Sequence, residues 1–123
     1  YLSDASAAQV GGLGIAPGSN LGNNLALFEA THGVADDIAG KGIANPCSLL
    51  LSGVMMLEYL GWTEAAAIAT KAIDKTIRAR TVTGDLARFM KNATALSTSD
   101  FANRVVSNMV TPRRKVVRKP AGK

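Results

Sequence analysis

Several features are scarce in this sequence, and each scarcity removes a class of protein. A single cysteine, Cys47, excludes an internal disulfide framework and is typical of a reducing compartment, so we expect a cytoplasmic protein. The longest apolar run, residues 47–57, is shorter than the ~20 residues that a membrane-spanning helix needs. The first residues lack the basic and then apolar pattern of a secretory signal, and the chain starts at Tyr1 without a methionine, which indicates a fragment.

Positive charge is confined to one end of the chain. The net charge of +5 comes from a tail, residues 111–123, which holds six basic residues: Arg113, Arg114, Lys115, Arg118, Lys119 and Lys123. Residues 1–110 alone carry eight basic against nine acidic residues, a net charge of −1. We therefore expect one domain over residues 1–110 and a disordered basic tail. A nucleic-acid-binding module remains a remote alternative, because the tail has no aromatic residue on which bases could stack.

The hydrophobic pattern predicts a mixed α/β chain. Helices are expected over residues 3–10, 48–60, 63–79 and 100–109, and the second is apolar enough to be buried on most sides. Strands are expected over residues 13–16, 25–30 and 81–83, with a turn-rich segment at residues 17–24 and a turn at Gly84. Residues 31–45 are rich in glycine and show no periodicity. A structureless stretch of that length in a compact domain is usually functional.

The segment from Glu29 to Pro46 carries the strongest chemical signal. A predicted strand ends at the one histidine, His32, and small residues follow with Asp36 and Asp37 among them. Small residues let the backbone approach a ligand, and its N–H groups can then cradle phosphate. A carboxylate in such a loop can accept hydrogen bonds from ribose hydroxyls, and the histidine ring can pack on a purine. The alternative on these residues alone is a histidine whose hydrogen bonds are satisfied within a core.

Gly12 and Gly14 suggest a dinucleotide-binding fingerprint, but the pattern fails. The third glycine of G-x-G-x-x-G falls at position 17, which is Pro17, and no helix is predicted directly after it. A Rossmann domain is therefore not expected.

Residues 25–46 closely resemble the adenosine-binding loop of the β-decarboxylating dehydrogenases, the family of isocitrate, 3-isopropylmalate, homoisocitrate and tartrate dehydrogenases. Residues 1–4, 9–18, 61–66 and 81–83 are most similar to its isocitrate members, and Ala30-Thr31-His32-Gly33 stands where isopropylmalate enzymes have a Pro-Val-His-Gly type sequence. The resemblance covers about residues 1–109. It implies an isocitrate/isopropylmalate dehydrogenase-like α/β fold, with this chain as the C-terminal part of the large domain.

The same resemblance implies metal-dependent oxidative decarboxylation of isocitrate to 2-oxoglutarate by a homodimer, with 3-isopropylmalate or homoisocitrate as alternative substrates. Asp4 matches the second of two aspartates that ligate Mg2+ or Mn2+, hard cations that prefer oxygen ligands. Such a cation stabilises the enolate charge that decarboxylation leaves. The other aspartate, the catalytic lysine and tyrosine and the substrate-binding side chains would precede Tyr1, so we expect the chain alone to be inactive. We expect no partner in a membrane.

The resemblance also assigns cofactor contacts to His32, Gly33, Val34, Ala35, Asp36, Asp37, Ile38, Asn45, Gly84 and Arg88. In members that use NADP, lysine and tyrosine at positions 37 and 38, and tyrosine and arginine at 84 and 88, hold the 2′-phosphate. Here Asp37, Ile38 and Gly84 depart from that set and only Arg88 is retained. A carboxylate repels phosphate and favours a free ribose diol, so we expect NAD, with NADP as the alternative.

Two further positions bear on this loop. Ala44 matches the pattern of the NAD-using members, and Asp36 stands where the family usually has proline. Asp85 is expected to cap the segment that follows it or to orient Arg88.

Overall fold

The structure is a computed structural model in which residues 15–111 are described. Its elements, in chain order, are β1 (Pro17–Leu21), β2 (Ala26–Ala30), α1 (Cys47–Tyr59), α2 (Thr63–Arg78), β3 (Thr81–Thr83), α3 (Gly84–Ala87), β4 (Thr94–Leu96) and α4 (Thr98–Asn108). The hairpin β1–β2 packs on α1, α1 packs on α2, and α2 packs on α4. No helix in this part of the chain is long and apolar enough to cross a membrane.

Strands β1 and β2 form an antiparallel hairpin with Pro17 opposite Ala30 and Leu21 opposite Ala26. Proline is tolerated at the first residue of a strand, where no ladder hydrogen bond is lost. Gly18 is required by its close approach to the partner strand: a Cβ added there would lie 2.7 Å from the carbonyl oxygen of Glu29. The hairpin therefore depends on a residue without a side chain at its second position.

The apolar core lies between the helices. Its buried members are Cys47, Val54, Ala66, Ala72, Ile73, Val82, Leu86, Phe101 and Val105. Helix α2 buries residues spaced one and two turns apart, as its sequence pattern predicts. Helix α4 starts with a side-chain N-cap, in which the Ser97 hydroxyl accepts a hydrogen bond from the Asp100 N–H at 3.0 Å. The parallel pair β3–β4 brings residues 81–83 beside residues 94–96 under this helical layer.

The predicted elements need three corrections. Ile15 and Ala16 are not in a strand, and the strand occupies residues 17–21, which the sequence had assigned to a turn-rich loop. The hairpin turn is confined to residues 22–25, because the N–H of Gly22 donates to the Leu25 carbonyl at 2.7 Å. Strand β4 was not predicted, and a short α-helix, α3, stands where only a turn at Gly84 was expected.

Helix α1 has the predicted bounds to within one residue, but it is not buried on most sides. Its most deeply buried side chains include the two serines Ser48 and Ser52, whereas Leu49 and Met56 are exposed. The serines face inward because their hydroxyls satisfy backbone groups of the hairpin, a demand that apolar side chains cannot meet. The four other predictions for helices and strands within the described residues, 25–30, 63–79, 81–83 and 100–109, agree with the structure to within two residues at each end.

Candidate functional site

The loop of residues 31–45 connects β2 to α1, and its first residue is fixed by three hydrogen bonds. The Thr31 N–H donates to the Ser48 hydroxyl at 3.2 Å, and that hydroxyl donates to the Ala16 carbonyl at 2.5 Å. The Thr31 hydroxyl donates to the same carbonyl at 3.0 Å. Strand β1, the loop and helix α1 are therefore joined directly before His32.

The middle of the loop, residues 32–41, is called the crest below. Its residues are exposed except for the half-buried Ile38. The carbonyl of Ala35 accepts from the N–H groups of Ile38 and Ala39, both at 3.0 Å, which makes one helical turn. Gly40 follows with φ +75, a left-handed conformation that glycine adopts without strain. The crest thus has a defined shape but leaves its side chains to solvent.

His32 lies on the crest and not in the core. Its Nδ1 is 3.1 Å from the carbonyl oxygen of Gly33, and the side chain is exposed. Val34 is 87% exposed, so an apolar side chain on this surface has no protein contact to bury it. The core-histidine alternative is therefore wrong, and the crest offers an imidazole and a valine to a flat ligand.

The last residues of the loop are fixed by helices from later in the chain. Thr98, the first residue of α4, donates its N–H to the Gly42 carbonyl at 2.9 Å and its hydroxyl to the Ala44 carbonyl at 2.5 Å. The Asn45 Oδ1 accepts the N–H of Cys47 at 2.9 Å across Pro46, an Asx turn that caps the start of α1.

The segment 83–88 meets the loop through one carboxylate. The Asn45 Nδ2 donates to the Asp85 Oδ2 at 3.0 Å, and the Thr83 hydroxyl donates to the Asp85 Oδ1 at 2.6 Å. Asp85 thus neither caps α3 nor pairs with Arg88, the two roles expected for it. Its hydrogen bond to Asn45 joins two segments that are 40 positions apart in sequence.

Gly84 and Arg88 lie at the two ends of the helical turn α3, and both are exposed. A Cβ added at Gly84 would meet nothing within 4 Å. The guanidinium of Arg88 lies over the ring of Phe89, 4.8 Å from its centroid. Space for a larger side chain is thus available at position 84, and the one cation retained from the NADP-type set already has an aromatic contact.

Cys47 is buried at the point where the loop enters α1. Burial, reinforced by the negative charge of Asp85, raises the pKa of its thiol to about 12. A thiol with so high a pKa stays protonated at neutral pH and is a poor nucleophile. Cys47 is therefore a packed residue of the core.

A metal site is not formed within the described residues. Between Ile15 and Thr111, no group of three or more His, Cys, Asp or Glu side chains could hold a metal ion. The predicted ligand Asp4 lies outside the described residues, as do the basic residues of the predicted tail. The prediction for Asp4 therefore stays a prediction.

Comparison with known proteins establishes the family. The isocitrate/isopropylmalate dehydrogenase family matches residues 1–105. Isocitrate dehydrogenase [NADP] of Streptococcus salivarius is 58% identical over 111 residues, which cover 89% of this chain and 28% of that protein. Isocitrate dehydrogenase [NADP] of Pseudomonas aeruginosa is 53% identical over 109 residues, which cover 89% of this chain and 26% of that protein. The crystal structure of isocitrate dehydrogenase from Methylococcus capsulatus aligns with a TM-score of 0.76 and 43% identity, covering 88% of this chain and 31% of that one.

The chain belongs to the isocitrate/isopropylmalate dehydrogenase family. The predicted α/β fold of that family is confirmed. The chain spans about a quarter of the length of these two sequence relatives. Both are named as NADP enzymes, so the comparisons do not support the expected preference for NAD.

Sequence reasoning missed the residues that hold the loop in place. Ser48 and Thr98 carry no chemistry of their own, and their role depends on which backbone groups the fold brings to them. Asn45, Pro46 and Cys47 gave a usable local signal, since Asn-Pro favours an Asx turn before a helix. No local signal could have paired Asn45 with Asp85, because the pairing depends on the tertiary fold.

Proposed function

We propose that the loop of residues 31–45 and the segment 84–88 hold the adenosine end of a nicotinamide cofactor. The protein would use that cofactor in the oxidative decarboxylation of isocitrate to 2-oxoglutarate. The observation that carries the proposal is the Asn45–Asp85 hydrogen bond at 3.0 Å, which joins two segments to which the family resemblance assigns the same ligand. A site assembled from distant segments and left exposed at its crest is typical of ligand-binding loops on a rigid scaffold.

The other parts of the proposed function rest on the resemblance to the family. Residues 1–110 would be the C-terminal part of the large domain of the dehydrogenase, with a disordered basic tail over residues 111–123, in a cytoplasmic homodimer. Asp4 would contribute one ligand to Mg2+ or Mn2+, which supplies Lewis-acid stabilisation of the enolate when bound. 3-Isopropylmalate and homoisocitrate are the alternative substrates of the same family.

The cofactor proposed is NAD, against the NADP in the names of the two sequence relatives. Asp37 is exposed on the crest, where its carboxylate would repel a 2′-phosphate and accept hydrogen bonds from the 2′- and 3′-hydroxyls. The Ile38 side chain donates no hydrogen bond, and Gly84 has no side chain to contact a phosphate. Arg88 is stacked on Phe89, which weakens the one contact that favours NADP.

The test is a chimera in which this chain replaces the matching segment of the Streptococcus salivarius enzyme. Because the rest of the enzyme comes from a protein named as NADP-dependent, any preference for NAD+ must come from this chain. We expect kcat/KM with isocitrate and Mg2+ to be at least tenfold higher for NAD+ than for NADP+, as for other mismatches of a charge with its site. A preference for NADP+ would contradict the cofactor assignment.

A triple substitution tests the assignment to positions 37, 38 and 84. Asp37→Lys, Ile38→Tyr and Gly84→Tyr together should move the preference of the chimera toward NADP+, because they restore two hydroxyl donors and one cation. A Cβ at position 84 would meet nothing within 4 Å, so the backbone there can carry a side chain. Asp74→Lys, which makes the same change of charge on the exposed side of α2, is the matched control and should leave the preference unchanged.

A further inference from the structure

We propose that Asp85 is a positioning residue of the nucleotide site, and that its carboxylate sets the orientation of the Asn45 carboxamide. This inference rests on the proposed function. Asn45 was expected to contact the cofactor, whereas Asp85 was expected only to cap its own segment or to orient Arg88. The contacts assign Asp85 a different role, which is to fix a ligand-facing side chain on another part of the chain.

The orientation of the carboxamide follows from its two partners. Its oxygen accepts the N–H of Cys47 at 2.9 Å, and its nitrogen donates to the carboxylate of Asp85 at 3.0 Å. In the flipped orientation the oxygen would face a carboxylate oxygen and the NH2 group would face an N–H, so both hydrogen bonds would be lost. One N–H and one lone pair of Asn45 remain free for a ligand, in directions that Asp85 determines.

Asp85 can impose this orientation because it is itself fixed. The Thr83 hydroxyl donates to its other oxygen at 2.6 Å, and Thr83 is fully buried at the end of β3. Both carboxylate oxygens are therefore engaged, one toward the core and one toward the loop. In the described part of the chain, Asn45–Asp85 is the one hydrogen bond between residues 31–46 and residues 83–88. Placement of the two ligand-facing segments relative to each other thus depends on this contact.

Three substitutions in the chimera separate positioning from bulk stability. Asp85→Ala removes the acceptor, and we expect the KM for the cofactor to rise roughly tenfold while the KM for isocitrate changes less than twofold. Asp85→Asn keeps both contacts, since its oxygen can accept from Asn45 and its NH2 group can donate to the Thr83 hydroxyl. Asp85→Asn should therefore give a cofactor KM within about threefold of the value for the unsubstituted chimera. Thr83→Val releases one side of the carboxylate and should give an intermediate value.

Asp74→Ala is the control, because Asp74 is exposed on α2 and bonded to Arg78. It should leave the cofactor KM unchanged. If Asp85→Ala lowers Tm but leaves the cofactor KM within twofold, the residue is structural and the proposal is overturned. If Asp85→Asn is as damaging as Asp85→Ala, the charge and not the hydrogen-bond geometry is decisive, which also overturns it.

A second measurement on the 123-residue chain needs no cofactor. The Cys47 amide donates to Asn45, so its hydrogen-exchange rate reports whether the carboxamide is still oriented. We expect about tenfold faster exchange at Cys47 in Asp85→Ala than in Asp85→Asn, with equal exchange at Ile73 in the core. An unsubstituted chimera that turns over no isocitrate would remove the proposed function alone, and the exchange rates would then decide whether Asp85 orients Asn45. Equal exchange in the two variants would overturn the positioning role.

Discussion

The two ends of the loop and its crest are built in different ways. The ends are fixed by side chains from α1, α3 and α4, of which Ser48, Asp85 and Thr98 are the donors or acceptors. The described hydrogen bonds of the crest are local, among residues 32–41 themselves. If the crest contacts the cofactor as proposed, the residues that place the loop are separate from those that discriminate between ligands. Substitutions at the ends should change stability and position, and substitutions on the crest should change what is bound.

The largest expected effect on stability is at the C-terminal end of the loop, where the pKa of the Cys47 thiol is raised from 9.0 to about 12. The thiol is protonated in both folded and unfolded chains below pH 9, so its contribution to the free energy of unfolding is fully present there. Between pH 9 and about 12 the unfolded chain loses the proton first, and stability falls by at most about 1.4 kcal/mol per pH unit.

The measurement is urea unfolding at pH 8, 9, 10 and 11 for the native chain and for Cys47→Ala. Both variants share all lysines and tyrosines, so the difference between their slopes isolates the thiol. We expect the native chain to lose stability more steeply above pH 9. Parallel curves would show that the pKa of the Cys47 thiol is the same in the folded and unfolded chains, which would contradict its burial at this end of the loop.

The next largest effect on stability is at the N-terminal end of the loop, where Ser48 is buried and hydrogen-bonded to the backbone of Thr31 and Ala16. Ser48→Ala leaves the Thr31 N–H without its acceptor and should lower the free energy of unfolding by about 1–3 kcal/mol. Ser107→Ala removes an exposed hydroxyl that bonds only within its own helix, and should change it by less than about 0.5 kcal/mol. Equal effects of the two substitutions would mean that the N-terminal end of the loop is not held by Ser48.

Most helices between Ile15 and Thr111 could be predicted from the sequence, because the period of apolar residues in α2 and α4 is set by the core they face. Strand β1 could not, since Pro17, Gly18 and Asn20 are turn-forming residues that become a strand only by pairing with β2. The burial of α1 was wrong for a related reason. Its apolar composition predicted burial on most sides, whereas the hydrogen bonds of Ser48 and Ser52 to the hairpin and its flanking residues decide which side is buried.

The site divides in the same manner. The crest residues could be proposed from a contiguous motif and its resemblance to a family, and the structure places His32 to Asp37 together on an exposed turn. Asn45 was predicted to contact the cofactor, but its support by Asp85 and Thr83 was not, because those residues reach it only through the fold.

The smallest expected effect is on the crest, at Asp36. The hydrogen bond from the Ile38 N–H to the Ala35 carbonyl makes Asp36 the second residue of a turn, a position that favours proline. Asp36→Pro should raise the free energy of unfolding by about 0.4–1 kcal/mol, because it restricts the unfolded chain. Asp37→Pro, one position later, should lower it, since proline is disfavoured there. A loss of stability in Asp36→Pro would show that the turn at Ala35 is not maintained in solution.

Ser48 and Ser52 are one helical turn apart, and each contacts both chain segments of the hairpin, at strand residues or at the residues directly beside them that are two positions apart. Ser48 meets Ala16 and Thr31, and Ser52 meets Gly18 and Glu29. Four residues of helix rise about 6 Å and two residues of strand about 6.8 Å, so the two spacings nearly match. The two serines therefore fix the register of the hairpin relative to helix α1. A shift of the hairpin by one residue along the helix would break the hydrogen bonds of both serines, so it would cost free energy at two positions. The loop that follows β2 therefore starts from a fixed position on α1.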